Sequence, residues 1–385
     1  MRGKTILAPP KTMDALDLPE SVRELARAAQ AALDGPALDR RIDRDQAVFA
    51  IQRHRVGPLL QAAVTAGLAH VDEDAGVLLS SERQNNRQRY ALQTLSRQRI
   101  SAALEGAGIC FAFFKGIGLA EALYPVPEWR HVGDIDVLIA PRNAVKAVAA
   151  LQAARFACTE PFMSLPSALA RFTVHVIRDV HFADVATAQR IEVHSRLLFS
   201  SSVSARLVEA DASLGLSARA PRIGAGLLCY LLLHGAISGW ARLKWLVDIY
   251  AILRRLDPQE RARLVPIAEA CGVTLAVRTG LMVARDVFPD LAIEELQPWI
   301  DDRTGLPRAK RLADRYATWL AAPSNAAPSP LHDRRAALAA NLLLHDRWPS
   351  QLATLSHGGL SAGLRILGQT MRRRQPAASP AKPSV

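Results

Sequence analysis

Cysteine, lysine and aromatic residues are all scarce in this 385-residue chain. Its four cysteines, Cys110, Cys158, Cys229 and Cys271, stand too far apart for a CxxC pair and are too few for a disulfide scaffold. A disulfide-stapled secreted fold and a Cys/His zinc site are thereby excluded, and a cytoplasmic, reducing compartment is expected. Long apolar runs are missing as well. The greasiest stretch, Ala225 to Trp240, holds His234 and interrupting glycines and falls short of the ~20 residues a bilayer span needs. No transmembrane segment is expected. The opening MRGKTILAPPKTMD is broken at Pro9 and Pro10 before a secretory h-region forms. There is no GxxxxGK[ST] phosphate loop, no GxSxG elbow, and no third glycine at dinucleotide spacing after Gly116-Ile117-Gly118.

With 50% hydrophobic and 22% charged residues, the chain is too apolar for general disorder and long enough for two or three packed domains. Lys and Arg number 48 against 36 Asp and Glu, a net charge of +12. Five of the basic residues and no acidic one fall between Arg365 and Val385, leaving about +7 on the rest. That excess is modest for so large a body and is not in itself a nucleic-acid signature.

Residues 1–20 read as a flexible N-terminus and residues 21–105 as a helical region, with apolar residues at helical spacing such as Leu59, Leu60, Ala63 and Val64. From 106 to 200 short β-rich runs alternate with helical stretches, which makes this the α/β core. The expected order there is a strand Ile109–Phe114, a helix Ile117–Leu123, a strand Ile135–Ile139, a helix Asn143–Arg155, and a hairpin of Val174–Phe182 with Arg190–His194. Helical periodicity returns over 201–350, broken at several prolines including the patch Ala321 to Pro330. Residues 351–385 read as a basic helix and a disordered tail.

Chemistry is concentrated in the α/β core. In Gly133-Asp134-Ile135-Asp136-Val137-Leu138-Ile139, strand alternation turns Asp134 and Asp136 to one face while Ile135, Val137 and Ile139 pack the other. Two neighbouring carboxylates repel, which fits either a solvated strand end or a cation held between them. Hard oxygen donors at that spacing suit Mg²⁺ or Mn²⁺ bound with a phosphate. Upstream, Phe114-Lys115-Gly116 sets a lysine at a strand-to-helix junction, where free N–H groups and the helix dipole favour an anion. Only seven of the 48 basic residues are lysines, so its presence there stands out. Downstream, Arg190-Ile191-Glu192-Val193-His194 alternates again. If this strand pairs beside the first, Glu192 becomes a third carboxylate. Farther on, Lys244 and Asp248 are four apart on one helix face, either an ordinary ion pair or part of a cleft wall. Trp240 and Trp245 read as base-stacking or core, His194 as cleft or packing, and Arg130 as an α-phosphate contact or a surface residue.

In this order the residues resemble the DNA polymerase β-type nucleotidyltransferase superfamily. The runs FKGIGLAEALYPVPEWRHVGDIDVLI, IEVHSRLL and LLLHGAISGWARLKWLVDIYAIL are similar to its uncharacterised nucleotidyltransferase family, over roughly Gln52 to Leu253. The resemblance implies an α+β fold, a small mixed-sheet core flanked by N-terminal and C-terminal helical regions. It implies transfer of a nucleotidyl group from a nucleoside triphosphate, ATP among the candidates, with release of pyrophosphate and use of two divalent ions, Mg²⁺ or Mn²⁺. Asp134, Asp136 and Glu192 take the catalytic and metal-holding positions. Lys115, Gly116, Arg130, His234, Lys244 and Asp248 fall on the nucleotide side. Lys115-Gly116 stands where the superfamily usually has Gly-Ser, so the triphosphate grip lacks that hydroxyl. The acceptor stays open between a small molecule, a peptide or protein side chain and an RNA end. A catalytically silent nucleotide-binding or adaptor protein on the same fold is the alternative. The stripe Leu360, Leu364, Leu367 and Met371 beside Arg365 reads as a terminal packing helix or as a weak site for an anionic partner.

Overall fold

The structure, a computed structural model, describes residues 15–38, 41–198, 200–211, 214, 216, 221–323, 345–346 and 348–374. The tail 375–385, the first 14 residues and most of the proline-rich patch lie outside the described residues. Helices Glu20–Leu33, Gly57–Thr65 and Glu73–Gly106 precede the sheet, and Ala225–Ile237, Leu243–Leu253, Thr274–Val287 and Leu306–Leu320 follow it, with shorter helices between. These two sets do not form separate cores: Leu25, Leu60 and Leu79 belong to the same apolar cluster as Leu232, Leu246 and Val277. A polar contact ties them as well, Tyr250 donating its hydroxyl to Asp34 at 2.8 Å. Among the described residues, no helix is long and apolar enough to cross a membrane.

Two short strands, β1 (Arg41–Ile42) and β2 (His70–Val71), pair in parallel within the first helical set. The main sheet has five strands, β3 (Phe111–Phe113), β4 (Ile135–Ile139), β5 (Phe156–Cys158), β6 (Asp179–Asp184) and β7 (Arg190–His194), in the order β3-β4-β7-β6-β5. β4 runs parallel to β7 and the other pairings are antiparallel. The fold is therefore α+β, a small mixed sheet with helical flanks.

Alternation fixes the two faces. Ile135, Val137 and Ile139 join Ile191, Val193 and Phe182 in a second apolar cluster, covered by the helix Ala144–Ala153 and the end of Glu73–Gly106. The other face carries Asp136 next to Glu192 and Leu138 next to His194, because β4 and β7 pair without a register shift.

Several expected boundaries move. Val174 lies in a helix, Ser167–Val176, and the first arm of the hairpin starts at Asp179. Buried Ala170, Thr173, Val174 and Ile177 recur at helical spacing, and alternation begins only after them. The edge strand Phe156–Cys158 has too few residues to show a period. It follows Arg155, whose left-handed backbone (φ 66°) ends the preceding helix. In the last helix, Trp348–Arg374, Leu364 is buried as expected, but Leu360 and Leu367 are 46% and 44% exposed. The packing stripe runs instead through Ser361, Leu364 and Gly368, where the missing side chain lets the helix rest on the backbone of Pro161 and Phe162. Arg365 is fixed by Glu160, donating to both carboxylate oxygens at 3.0 and 2.9 Å.

The helix Gly116–Leu123 docks on β3 so closely that a Cβ on Gly118 would lie 2.0 Å from the Phe113 carbonyl oxygen. Gly118→Ala is expected to lower stability by roughly 1–3 kcal/mol. A Cβ on Gly133 meets nothing within 4 Å. Gly133→Ala should stay near the parent when both variants are unfolded in urea, and equal losses at both positions would contradict this packing.

Candidate active site

Lys115 and Gly116 form the turn between β3 and the next helix, and that turn lies on the start of β4. Gly116 has φ 54°, and a Cβ there would come within 2.6 Å of the Asp134 carbonyl oxygen and 3.4 Å of Asp136 Oδ2. Glycine satisfies both the left-handed backbone and the close approach. The approach delivers the Lys115 Nζ to 2.8 Å from Asp136 Oδ1. On the same oxygen, the fully buried His194 donates from Nε2 at 3.0 Å, and this nitrogen lies 3.3 Å from Glu192 Oε2.

These contacts set the charges. Burial pushes the Asp136 carboxyl up, but Lys115 and His194 together hold it well below the usual carboxylate range. Burial likewise works against Lys115, and Asp136 reverses the effect, so the ammonium holds its proton more tightly than a free lysine. Burial raises Glu192, yet the His194 hydrogen bond keeps it low. Asp134, just before β4, goes the other way. Burial and the nearby Glu192 raise its carboxyl, although the Arg190 Nε sits at 2.7 Å. Asp136, Glu192 and His194 bring ligand atoms within 4.8 Å of one another, and so do Asp179, His181 and Glu192. Among the described residues Asp134 joins neither group.

The long helix Glu73–Gly106 holds the approach to β4. Buried Asn86 donates to the carbonyl oxygens of Glu128 and Arg130 at 2.8 and 3.0 Å, and Gln93, seven residues on, donates to that of Gly133 at 2.7 Å. Arg130 then reaches across to the second helical set. Its Nε and Nη2 donate to the two oxygens of Asp248, each at 2.8 Å, and Nη1 donates to the Gly116 carbonyl at 3.2 Å. The Tyr124 hydroxyl also donates to Asp248 at 2.8 Å. Asp248 is thus the partner of Arg130 and makes no ion pair with Lys244.

The result is a cleft of about 710 Å³ into which Lys115, Gly116, Asp134, Asp136, Glu192 and Arg130 all open. His234, Lys244, Trp245 and Asp248 reach it from the second helical set. Trp240 does not: it is fully buried against Gly235 and Gly280. Burial and the Lys115 charge keep His234 neutral. Sequence reading gave no role to Arg55, Arg89, Arg178 or Arg242, which also line the cleft. Only the Arg242-Leu243-Lys244 spacing at a helix start hinted at any of them.

Removing one partner of the buried Arg130–Asp248 pair strands a charge. Arg130→Met is expected to cost about 3–5 kcal/mol in urea unfolding, most of it recovered in Arg130→Met/Asp248→Leu. No recovery in the double variant would refute the pairing. Burial, and then Arg130, press the Lys244 ammonium down from 10.5 to about 7. The unfolded chain therefore binds the extra proton between those values, and stability falls as pH drops through that window and levels off below 7. Lys244→Met should stabilise the ligand-free protein, most below pH 7 and not at all above about 10.5. Thermal melts across that range check the sign.

No curated protein and no solved structure matches the chain. A family model described as "Uncharacterised nucleotidyltransferase" does match, over residues 40–289, which takes in the sheet, both walls of the cleft and the helices that carry them. With well over half its length matched, the chain belongs to the uncharacterised nucleotidyltransferase family.

Proposed function

We propose that this cleft moves a nucleotidyl group from a nucleoside triphosphate to a nucleophile on an acceptor, releasing pyrophosphate. The observation that carries the reading is the pairing of Asp136 with Glu192 across parallel strands, two ionised carboxylates facing a cleft in which lysine and arginine side chains outnumber carboxylates. A triphosphate brings about four negative charges, which such a cleft accommodates.

The donor set fits a divalent ion, Mg²⁺ or Mn²⁺. Asp136 and Glu192 offer oxygens from adjacent strands, and the His194 proton bridges them and holds both rotamers. Asp134 stands at the rim, where exchange of Arg190 for another cation frees its oxygens. A bound divalent ion supplies Lewis-acid polarisation of the phosphoryl group undergoing attack. The chain's own residues do the rest. Lys115 keeps Asp136 ionised, Gly116 lets the turn approach the strand, and Arg130 braces that turn against the Leu243–Leu253 helix. Glu192, held low by His194, is ionised at neutral pH and suits cation holding and orientation of the nucleophile better than strong base catalysis.

Incubation of the purified chain with labelled triphosphates, Mg²⁺ or Mn²⁺ and cell lysate should give a nucleotidylated product. Asp136→Asn and Glu192→Gln are each expected to cut its formation by at least ~100-fold while a circular-dichroism melt shows each still folded at the assay temperature, Asp136→Asn melting lower because it strands the Lys115 charge. Full activity in Asp136→Asn would overturn the scheme. Metal-independent nucleotide binding with no turnover under any condition would favour the silent adaptor instead.

A further inference from the structure

Positive charge in the cleft is unevenly satisfied. Among the described residues eight Lys and Arg side chains line it, and four of them face carboxylates: Lys115 on Asp136, Arg130 on Asp248, Arg178 on Asp179 and Arg190 on Asp134. Among the described residues the other four, Arg55, Arg89, Arg242 and Lys244, have no carboxylate within ion-pair distance. They come from distant parts of the chain. Arg55 follows the π-helical turn Ala50–His54 with its backbone left-handed at φ 59°, and its Nε is buried without a hydrogen-bond acceptor. Arg89 projects from the long helix, donating to Asn86 Oδ1 at 3.2 Å. Arg242 sits 5.6 Å over the Trp245 ring at the start of the Leu243–Leu253 helix, and Lys244 is two residues further in.

Converging cations in a half-buried wall raise the free energy of the empty protein unless an anion neutralises them. Two members carry that cost as lowered pKa values. Burial and Arg130 bring Lys244 to about 7, and burial and Arg55 bring Arg242 to about 10. Lys115, Arg130, Arg178 and Arg190 already face carboxylates, so an incoming polyanion meets countercharge without an ion-pair partner on this wall and not at Lys115, whose Nζ is engaged by Asp136.

We infer that Arg55, Arg89, Arg242 and Lys244 form a polyphosphate subsite, which takes the β- and γ-phosphates of the triphosphate and then the pyrophosphate product. The assignment rests on the nucleotidyl-transfer reading and adds to it where the phosphate tail lies: on a wall built jointly by the two helical sets. Guanidinium groups offer paired N–H donors to phosphate oxygens, and this supplies the grip that the missing Gly-Ser turn does not.

Isothermal titration of the full chain with inorganic tripolyphosphate, at low salt and without metal, tests the subsite separately from catalysis. Arg242→Met/Lys244→Met should weaken binding by at least ~10-fold, and Arg55→Gln, a milder change, should weaken it in the same direction. Lys115→Met should keep tripolyphosphate affinity within ~3-fold of the parent while losing transfer. A circular-dichroism melt of each variant confirms the fold. The subsite is refuted if Lys115→Met abolishes binding and the Arg242/Lys244 double variant binds like the parent. In that case labelled-triphosphate turnover by the parent still supports nucleotidyl transfer. Unchanged tripolyphosphate binding in the double variant combined with weakened binding of a phosphorylated acceptor such as an RNA end would also refute it, since the wall would then serve the acceptor. A parent that binds neither tripolyphosphate nor any nucleoside triphosphate defeats the nucleotidyl-transfer reading itself.

Discussion

A carboxylate under a protein surface stays ionised only when something positive is held against it, and the organisation of this cleft follows from how Asp136 meets that condition. Lys115 supplies a charge at 2.8 Å and His194 a proton at 3.0 Å, both on one oxygen. Each depends on a piece of backbone. The lysine reaches the strand because Gly116 adopts a left-handed conformation and has no Cβ to strike Asp134. The histidine reaches it because β7 lies parallel to β4 in unshifted register, which also sets Glu192 beside Asp136. A one-residue slip would turn Glu192 and His194 into the apolar layer and bring Ile191 and Val193 into the cleft.

The walls depend on a second buried pair. Arg130 and Asp248 are 118 residues apart, and their two hydrogen bonds join the approach to β4 to the Leu243–Leu253 helix. Asn86 and Gln93 hold that same approach from the long helix. Strand β4 is thereby gripped from both helical sets, which share one apolar core. This explains why a family match covers helices on both sides of the sheet: the cleft is completed only when all three parts pack together.

Much of the sheet was legible because strand alternation is a local property. Ile135–Ile139 stands where the pattern put it, and the pairing of β4 with β7, on which the third carboxylate was conditional, sets Glu192 on the face of Asp136. Charge partners were less legible. Lys244 and Asp248 looked like partners by helical spacing, but a bidentate guanidinium from Arg130 satisfies both Asp248 oxygens, and no local period reports a contact 118 residues away. Arg55 and Arg89 were hidden for a related reason, since in an arginine-rich chain only tertiary packing distinguishes a cleft arginine from a solvated one. The last helix shows the limit of apolar spacing. Leu360 and Leu367 suggested its packing face, yet Gly368 decides it by allowing backbone approach.

The central claim is that Asp136 and Glu192 act as one cation-holding unit. Mn²⁺ binding followed by electron paramagnetic resonance, on the full chain without nucleotide, tests this most directly. The account predicts bound Mn²⁺ in the parent protein, lost alike in Asp136→Asn and in Glu192→Gln. Undiminished Mn²⁺ binding in both variants would contradict it.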